Sequence, residues 1–200
     1  MITIKFSDNI DQQYNSFGEI LKLDNYNDII YIWCVNNSLS SLPELPDSLK
    51  ILYCNENNLT SLPELPDSLT ELHCYYNKLY NLPNLPNSLT ELDCYNNNLY
   101  SLPELPNSLT KLDCANNNLS SLPDIPNSLT NMTYENNPIH IHIKQNLDGD
   151  IYKYYDIQNF IKRKFSNKIG NWFLDCKYNP KYLYCRKRLI EEYEELYDDK

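Results

Sequence analysis

Glycine, alanine and long apolar runs are scarce in this chain of 200 residues. The sequence has three glycines, a single alanine (Ala115) and no run of about 18 apolar residues, the length that a membrane-spanning helix requires. Its first residues, MITIKFSDNIDQQYNSFGEI, also lack the basic and apolar regions of a secretory signal peptide. We therefore expect no membrane helix, no export through a signal peptide, and a reducing, cytoplasmic location.

Positive charge is also in short supply. The chain has 17 lysines and arginines against 27 aspartates and glutamates, which gives a formal net charge of -10. Residues 144–200 carry 12 of the basic residues, and residues 1–143 carry 5 together with 17 acidic ones. Because a protein of this charge repels phosphate groups unless it has a local basic patch, we expect neither nucleic acid nor a membrane as partner.

The cysteines and histidines are not spaced as the ligands of a metal site usually are. Seven cysteines are present, but no two of them form a C-x-x-C pair. Only three histidines are available, and His140 and His142 alternate as they would on a strand, without an obvious third ligand. We expect no metal ion and no other cofactor.

What the chain has in abundance is a repeat of 20 residues. The stretch SLTELDCYNNNLYSLPELPN occupies residues 88–107, and near-copies precede and follow it. We number the positions of a unit as slots 1–20: apolar residues occupy slots 1, 4, 11, 14 and 17, cysteine slot 6, asparagine slot 9, and proline slots 15 and 18. The units begin at Ile29, Leu49, Leu69, Leu89, Leu109 and Leu129, and the sixth, LTNMTYENNPIHIHI, is incomplete.

This pattern, L-x-x-L-x-C-x-x-N-x-L, resembles the leucine-rich repeat. A unit of 20 residues that ends in L-P-x-L-P resembles the shortest class of that repeat, found in bacterial secreted effectors, and the resemblance covers residues 29–143. Cysteine in a slot that usually holds Leu, Val or Ile, together with the richness in Asn, Tyr and Ile, is most similar to leucine-rich-repeat proteins of giant amoebal viruses of the mimivirus type. The resemblance implies a module for virus–host or pathogen–host interaction, with the host cytoplasm as one location.

Alternation within each unit predicts one short strand. Slots 4 and 6 then point to the interior and slots 3, 5 and 7 point outward, while the prolines favour an extended, polyproline-like return segment. We predict a right-handed, curved leucine-rich-repeat solenoid with about six parallel strands on its concave face. Residues 1–28 are predicted as an N-terminal cap with one or two short strands, 29–143 as the repeats, and 144–200 as a small helical C-terminal cap or tail.

Two columns of side chains are predicted to have structural roles. The slot-9 amide can donate and accept at once, so a stack of asparagines can satisfy backbone groups where strand turns into loop. This ladder comprises Asn37, Asn57, Asn77, Asn97, Asn117 and Asn137. The slot-6 cysteines act as small apolar groups, because strands about 4.8 Å apart are too far apart for a disulfide, whose Cβ atoms lie about 3.8 Å apart. They are Cys34, Cys54, Cys74, Cys94 and Cys114.

The outward-pointing slots predict a binding surface on the concave face. It changes from aromatic in the N-terminal half to acidic in the middle, a combination typical of interaction hot spots, although the general abundance of tyrosine is an alternative explanation. We expect a monomer whose protein partner presents an apolar or aromatic contact beside a basic patch. The predicted partner-binding residues are Tyr31, Trp33, Tyr53, Glu71, His73, Tyr75, Tyr76, Glu91, Asp93, Tyr95 and Asp113.

Two other functions are alternatives to a non-enzymatic interaction module. Ubiquitin ligases among the effectors place a catalytic cysteine in a large helical domain after such repeats, with an acidic residue two positions later. Here only residues 144–200 follow the repeats, which is too short a segment for a large domain. Two positions after Cys176 and Cys185 stand Tyr178 and Lys187, neither of which is acidic. The second alternative is a purely architectural or self-associating role. We predict that the chain is not an enzyme.

Overall fold

A single sheet of eight strands dominates the computed structural model, which describes residues 1–8 and 10–146. The strand order is β2-β1-β3-β4-β5-β6-β7-β8. Each repeat unit contributes one strand of three residues at slots 3–5. These strands are β3 (Tyr31–Trp33), β4 (Ile51–Tyr53), β5 (Glu71–His73), β6 (Glu91–Asp93), β7 (Lys111–Asp113) and β8 (Asn131–Thr133).

The six repeat strands are parallel and in strict register. Ile32 pairs with Leu52, and every later strand is shifted by the same 20 residues, down to the pairing of Leu112 with Met132. Between strands, the return segments are neither helical nor extended in a sheet. Each ends in a turn in which the slot-1 N–H donates to the carbonyl of the slot-18 proline, as from Leu89 to Pro86 at 3.1 Å. The proline ring thus fixes the approach to the next strand.

The hydrophobic core lies inside the stack of units. The residues of slots 1, 4, 6 and 11 are buried in the second to fifth units, and slot 14 is buried in the third to fifth. Slots 3 and 5 alternate with these buried positions, and their side chains are half-buried or exposed. The period of two within each strand therefore separates an interior face from an exposed one.

The N-terminal residues cover the first unit. β1 (Ile2–Lys5) pairs antiparallel with both β3 and β2 (Asp11–Tyr14), followed by a short helix, α1 (Phe17–Ile20), and a 3₁₀ turn (Tyr26–Asp28). One or two short strands were expected in residues 1–28, and the structure has two, β1 and β2, whereas α1 and the 3₁₀ turn were not expected.

A second helix, α2 (Pro138–Asn146), begins inside the sixth unit. Pro138 is its first residue, a position where the missing N–H of proline has no helical partner to lose. The interpretation of His140 and His142 as a strand pair is therefore wrong. The rest of the predicted helical cap lies outside the described residues. In the part of the chain that the structure describes, no helix is both long enough and apolar enough to cross a membrane.

Candidate functional site

The slot-9 asparagines form a hydrogen-bonded ladder along the stack. Asn97 donates through Nδ2 to the carbonyls of Cys74 and Cys94 at 3.1 and 3.2 Å, and its Oδ1 accepts the Leu79 N–H at 3.0 Å. Asn37, in the first unit, bonds instead to the first residue of the chain and to its own unit. Each other ladder residue bonds to two consecutive units in the same way: Asn57, Asn77, Asn117 and Asn137.

The slot-6 cysteines form a buried column of free thiols. All five have no exposed surface. Cys34, Cys94 and Cys114 donate through Sγ to the carbonyl of the slot-5 residue in the next unit at 3.4, 3.3 and 3.3 Å. Over the described ranges, no group of His, Cys, Asp and Glu side chains is arranged to hold a metal ion.

We expect these thiols to resist alkylation in the folded protein. Burial raises the pKa of Cys34 to about 12 and raises the pKa of the other four thiols as well, so the reactive thiolate is rare near neutral pH. Peptide mapping after iodoacetamide treatment at about pH 8 should show the five slot-6 cysteines unlabelled, because their raised pKa keeps the thiols protonated. A thiol with the ordinary pKa of about 8.5 is partly ionised at this pH. The same sample in concentrated urea is the control, in which all five should be labelled. Fast labelling of Cys74 without urea would contradict the buried assignment.

Two further ladders were not predicted from the sequence. The slot-20 serines donate through Oγ to the slot-1 carbonyl of their own unit, as from Ser88 to Leu69 at 2.6 Å. The slot-2 threonines donate through Oγ1 to the slot-2 carbonyl before them, as from Thr90 to Thr70 at 3.0 Å. The signal was the recurring Ser-Leu-Thr before β5, β6, β7 and β8, which places two hydroxyls beside the backbone of these strands.

The residues at slots 3, 5 and 7 are here called the exposed strand face, although Asn55 and Ala115 at slot 7 are buried. This face begins with a run of contacting aromatic rings. Trp33 and Tyr53 have centroids 5.1 Å apart, and Tyr53 stacks on His73 at 4.4 Å with ring planes 7° apart. Tyr31 lies 5.9 Å from Tyr53, and the Lys5 ammonium lies 5.0 Å from the centroid of the Tyr31 ring. The strand register therefore brings the first four predicted aromatic residues into one continuous group.

Carboxylates occupy the neighbouring strands of this face. The two ring nitrogens of His73 lie 3.8 Å from Glu91 and 3.9 Å from Asp93, so the end of the aromatic run contacts the acidic region directly. Lys111 forms an ion pair with Glu91 at 2.9 Å. Glu71 occupies slot 3 of the third unit, and Asp113 occupies slot 5 of the fifth. The face therefore carries four carboxylates and one lysine at these strand positions.

A second aromatic group follows the strands at slots 7 and 8. Tyr76 contacts Tyr75 at 5.8 Å and Tyr95 at 5.3 Å, and the ring planes are inclined by 71° and 83°. We call this group the tyrosine corner. Asp93 joins it to the acidic region, since its Oδ1 accepts the Tyr95 N–H at 3.2 Å and its Oδ2 approaches His73. All eleven predicted partner-binding residues thus lie on one side of the sheet or at its immediate edge.

Burial and nearby carboxylates raise the pKa of two tyrosines of the exposed strand face. Burial, followed by the carboxylates of Glu71 and Glu91, raises the pKa of Tyr53. Burial, followed by the carboxylates of Glu56 and Asp93, raises the pKa of Tyr75. The phenols therefore stay neutral over the physiological range, and the negative charge of the face comes from its carboxylates alone.

Solved structures share this arrangement of repeats. No protein-family model matches the chain, and neither does any curated protein sequence. The leucine-rich-repeat domain of a Shigella effector is 38% identical, with a TM-score of 0.57, and the match covers 60% of this chain and 55% of that one. The fold is the leucine-rich-repeat solenoid. YopM, a leucine-rich effector protein from Yersinia pestis, is 46% identical, with a TM-score of 0.52, over 54% of this chain and 31% of that one.

These matches cover only part of each solved structure. The chain spans about half the length of the Shigella domain and under a third of the Yersinia pestis protein. The leucine-rich-repeat fold predicted from the 20-residue period is confirmed by them. The likeness to proteins of giant amoebal viruses remains a prediction from composition.

Proposed function

We propose that the chain is a non-enzymatic module that binds a protein partner through the exposed strand face, the side expected to be concave. The observation that carries this proposal is the run of contacting rings from Trp33 through Tyr53 to His73, which ends against carboxylates. Aromatic residues that combine apolar area with a polar group are enriched among interaction hot spots. The likeness to bacterial effectors supports a pathogen–host setting. The virus–host setting and the host cytoplasm are proposed from the sequence resemblance alone.

The partner that suits this face presents an apolar or aromatic contact beside a basic patch. Trp33 is 43% exposed and offers the apolar contact, while Lys111 pairs with only one of the four carboxylates. The remaining negative charge attracts a basic partner during encounter, and the rings contribute most of the affinity once they are covered. A formal net charge of -10 further disfavours nucleic acid as the partner. The module is proposed to act as a monomer without a cofactor.

The enzymatic alternative, an effector-type ubiquitin ligase, needs Cys176 or Cys185 as the nucleophile. Both residues lie outside the described part of the chain, and neither has an acidic residue two positions later. The five described cysteines are buried, and burial raises the pKa of each of them, which is the opposite of what a nucleophile requires. These observations support the non-enzymatic proposal.

Replacing Tyr53 by alanine tests the proposed surface. The change removes the ring that contacts both Trp33 and His73, so we expect binding to weaken by about 1–3 kcal/mol, the usual range for an aromatic hot spot. Affinity capture from the native cellular context identifies the partner by mass spectrometry. Calorimetry with the purified partner then measures Kd for the wild-type chain and for the variant.

Glu64→Gln is the matched control for this experiment. Glu64 is exposed in the return segment of the second unit, away from the exposed strand face, and its replacement should leave Kd unchanged. Circular dichroism verifies that both variants are folded. A partner that is lost with Glu64→Gln and retained with Tyr53→Ala would refute the proposed surface.

A further inference from the structure

Tyr76 occupies a backbone conformation that suits asparagine better than tyrosine. Slot 8 of every unit lies in the left-handed region, with φ between 51° and 58°. Four of the six units place asparagine there, and asparagine tolerates this region well, whereas a bulky side chain is strained in it. The other slot-8 residues are Asn36, Glu56, Asn96, Asn116 and Asn136. The third unit is therefore the one that combines an aromatic ring with the strained position.

Core packing does not compensate for this strain. The Tyr76 side chain is 47% exposed, and its ring contacts are with Tyr75 and Tyr95 in the tyrosine corner. A hydrogen bond to Tyr95, followed by charge–charge effects, raises the pKa of Tyr76. A residue that is held in an unfavourable conformation while it presents its ring to solvent is typical of a ligand-contacting position.

Two carboxylates flank the tyrosine corner. Glu56 occupies slot 8 of the preceding unit, and Asp93 occupies slot 5 of the following one, with its Oδ1 on the Tyr95 N–H. The pKa of Tyr75 is raised first by burial and then by these two carboxylates, so both lie within electrostatic reach of its hydroxyl. Over residues 1–8 and 10–146, Glu56 has no ion pair, and the only ion pair of Asp93 is the one with His73 at 3.9 Å.

We infer that the tyrosine corner binds the guanidinium group of an arginine side chain of the protein partner, with Glu56 and Asp93 as its anionic flank. This inference rests on the proposed interaction function and names the chemical group that one part of the surface recognises. Aromatic faces attract cations, and carboxylates beside them supply the hydrogen-bond acceptors that a ring lacks.

Arginine fits this arrangement better than lysine does. A planar guanidinium can stack on one tyrosine ring and still direct its N–H groups in its own plane toward a carboxylate. The nearly perpendicular rings provide one face to stack on and one wall beside it. Lysine offers a compact, strongly hydrated charge without a face to stack. The anionic flank gives the site its selectivity for a cation over a neutral group of the same shape.

The inference can be tested without the partner. Blocked Gly-Arg-Gly, Gly-Lys-Gly and Gly-citrulline-Gly peptides are titrated into the full chain carrying ¹³C-labelled tyrosine, and the ring signals are followed by nuclear magnetic resonance. The arginine peptide should shift the signals of Tyr75, Tyr76 and Tyr95 together. The citrulline peptide, a neutral analogue of nearly the same shape, should bind about tenfold more weakly or not at all.

Tyr76→Asn is the decisive variant, because it removes the ring and installs the residue that four other units have at this slot. We expect it to weaken arginine-peptide binding about fivefold or more while raising the thermal midpoint by about 2–4 °C as the strain is relieved. A structural role for Tyr76 would instead lower the midpoint. Tyr100→Ser is the matched control: Tyr100 is 61% exposed at slot 12, where other units have serine, and its loss should change neither quantity.

Three results would overturn the inference. They are equal binding of the arginine and citrulline peptides, equal binding of the arginine and lysine peptides, or a lower thermal midpoint for Tyr76→Asn. The proposed interaction function is judged separately by Tyr53→Ala. If capture of the partner depends on Tyr53 but the arginine peptide does not shift the ring signals of the tyrosine corner, the arginine site alone is rejected.

Discussion

Cys74→Asp is expected to unfold the repeat array at neutral pH. Cys74 has no exposed surface, and its backbone N–H donates to the Asp93 carbonyl at 2.8 Å, so the side chain cannot turn outward without breaking the sheet. A buried carboxylate without a partner costs several kcal/mol, which is a large share of the roughly 5–15 kcal/mol that stabilises a typical domain. Burial and the nearby Asp93 carboxylate already raise the pKa of the Cys74 thiol, and both would act on an aspartate there.

The same substitution should show a characteristic pH dependence. The pKa of an aspartate at this position is raised in the folded state, so the folded protein binds its proton more tightly than the unfolded chain does. The loss of unfolding free energy relative to wild type is therefore greatest at neutral pH and shrinks as the pH falls through the raised pKa. Urea unfolding followed by circular dichroism at several pH values measures this difference.

Cys74→Val is the matched control, because valine is apolar and close to cysteine in size. It should stay folded and lose less than about 1.5 kcal/mol, the usual limit for a volume-conserving change in a core. An aspartate variant with wild-type stability at neutral pH would show that slot 6 is not part of the core. Loss of the fold with valine would instead show that the thiol has a role that packing does not explain.

The repeat period predicted those parts of the fold in which every unit faces the same physical demand. Slot 6 must be apolar because it lies inside the stack. The slot-9 side chain must both donate and accept hydrogen bonds, because it satisfies backbone N–H and carbonyl groups in two units, as Asn97 does. Such demands recur every 20 residues, so the sequence repeats them visibly. The ends lack this repetition, which is why α1 and the early start of α2 were not predicted.

The candidate site was predictable as a surface but not as a set of contacts. Alternation along each strand places Trp33, Tyr53 and His73 on the exposed side, and the 20-residue register places them side by side. Which rings stack depends on side-chain rotamers and on the spacing of the strands, and slot periodicity alone contains neither. The strained backbone of Tyr76 had a visible signal, the asparagine that most other units have at slot 8. The inference of an arginine site rests on the third unit, which has Tyr76 where four other units have asparagine.

Asn117→Ala is expected to cause the second large loss of stability, because one buried side chain satisfies several backbone groups. Its Oδ1 accepts the Leu99 N–H at 3.0 Å, and its Nδ2 donates to the Cys94 and Cys114 carbonyls at 3.0 and 3.2 Å. Each buried group that is left unsatisfied costs about 1–3 kcal/mol, so we expect the unfolding free energy to fall by roughly 3 kcal/mol or more.

The neighbouring residue provides the control for this change. Asn118 is exposed at slot 10, and Asn118→Ala removes the same amide group from the surface, where it should alter the unfolding free energy by less than about 0.5 kcal/mol. Urea unfolding measures both variants. Hydrogen exchange at the Leu99 amide separates a ladder effect from a general one, since this amide loses its acceptor with Asn117→Ala and should exchange faster than the Leu109 amide, which still donates to Pro106. If the two alanine variants were equally stable, the asparagine column would be a feature of composition, and the units would be held together by their apolar slots alone.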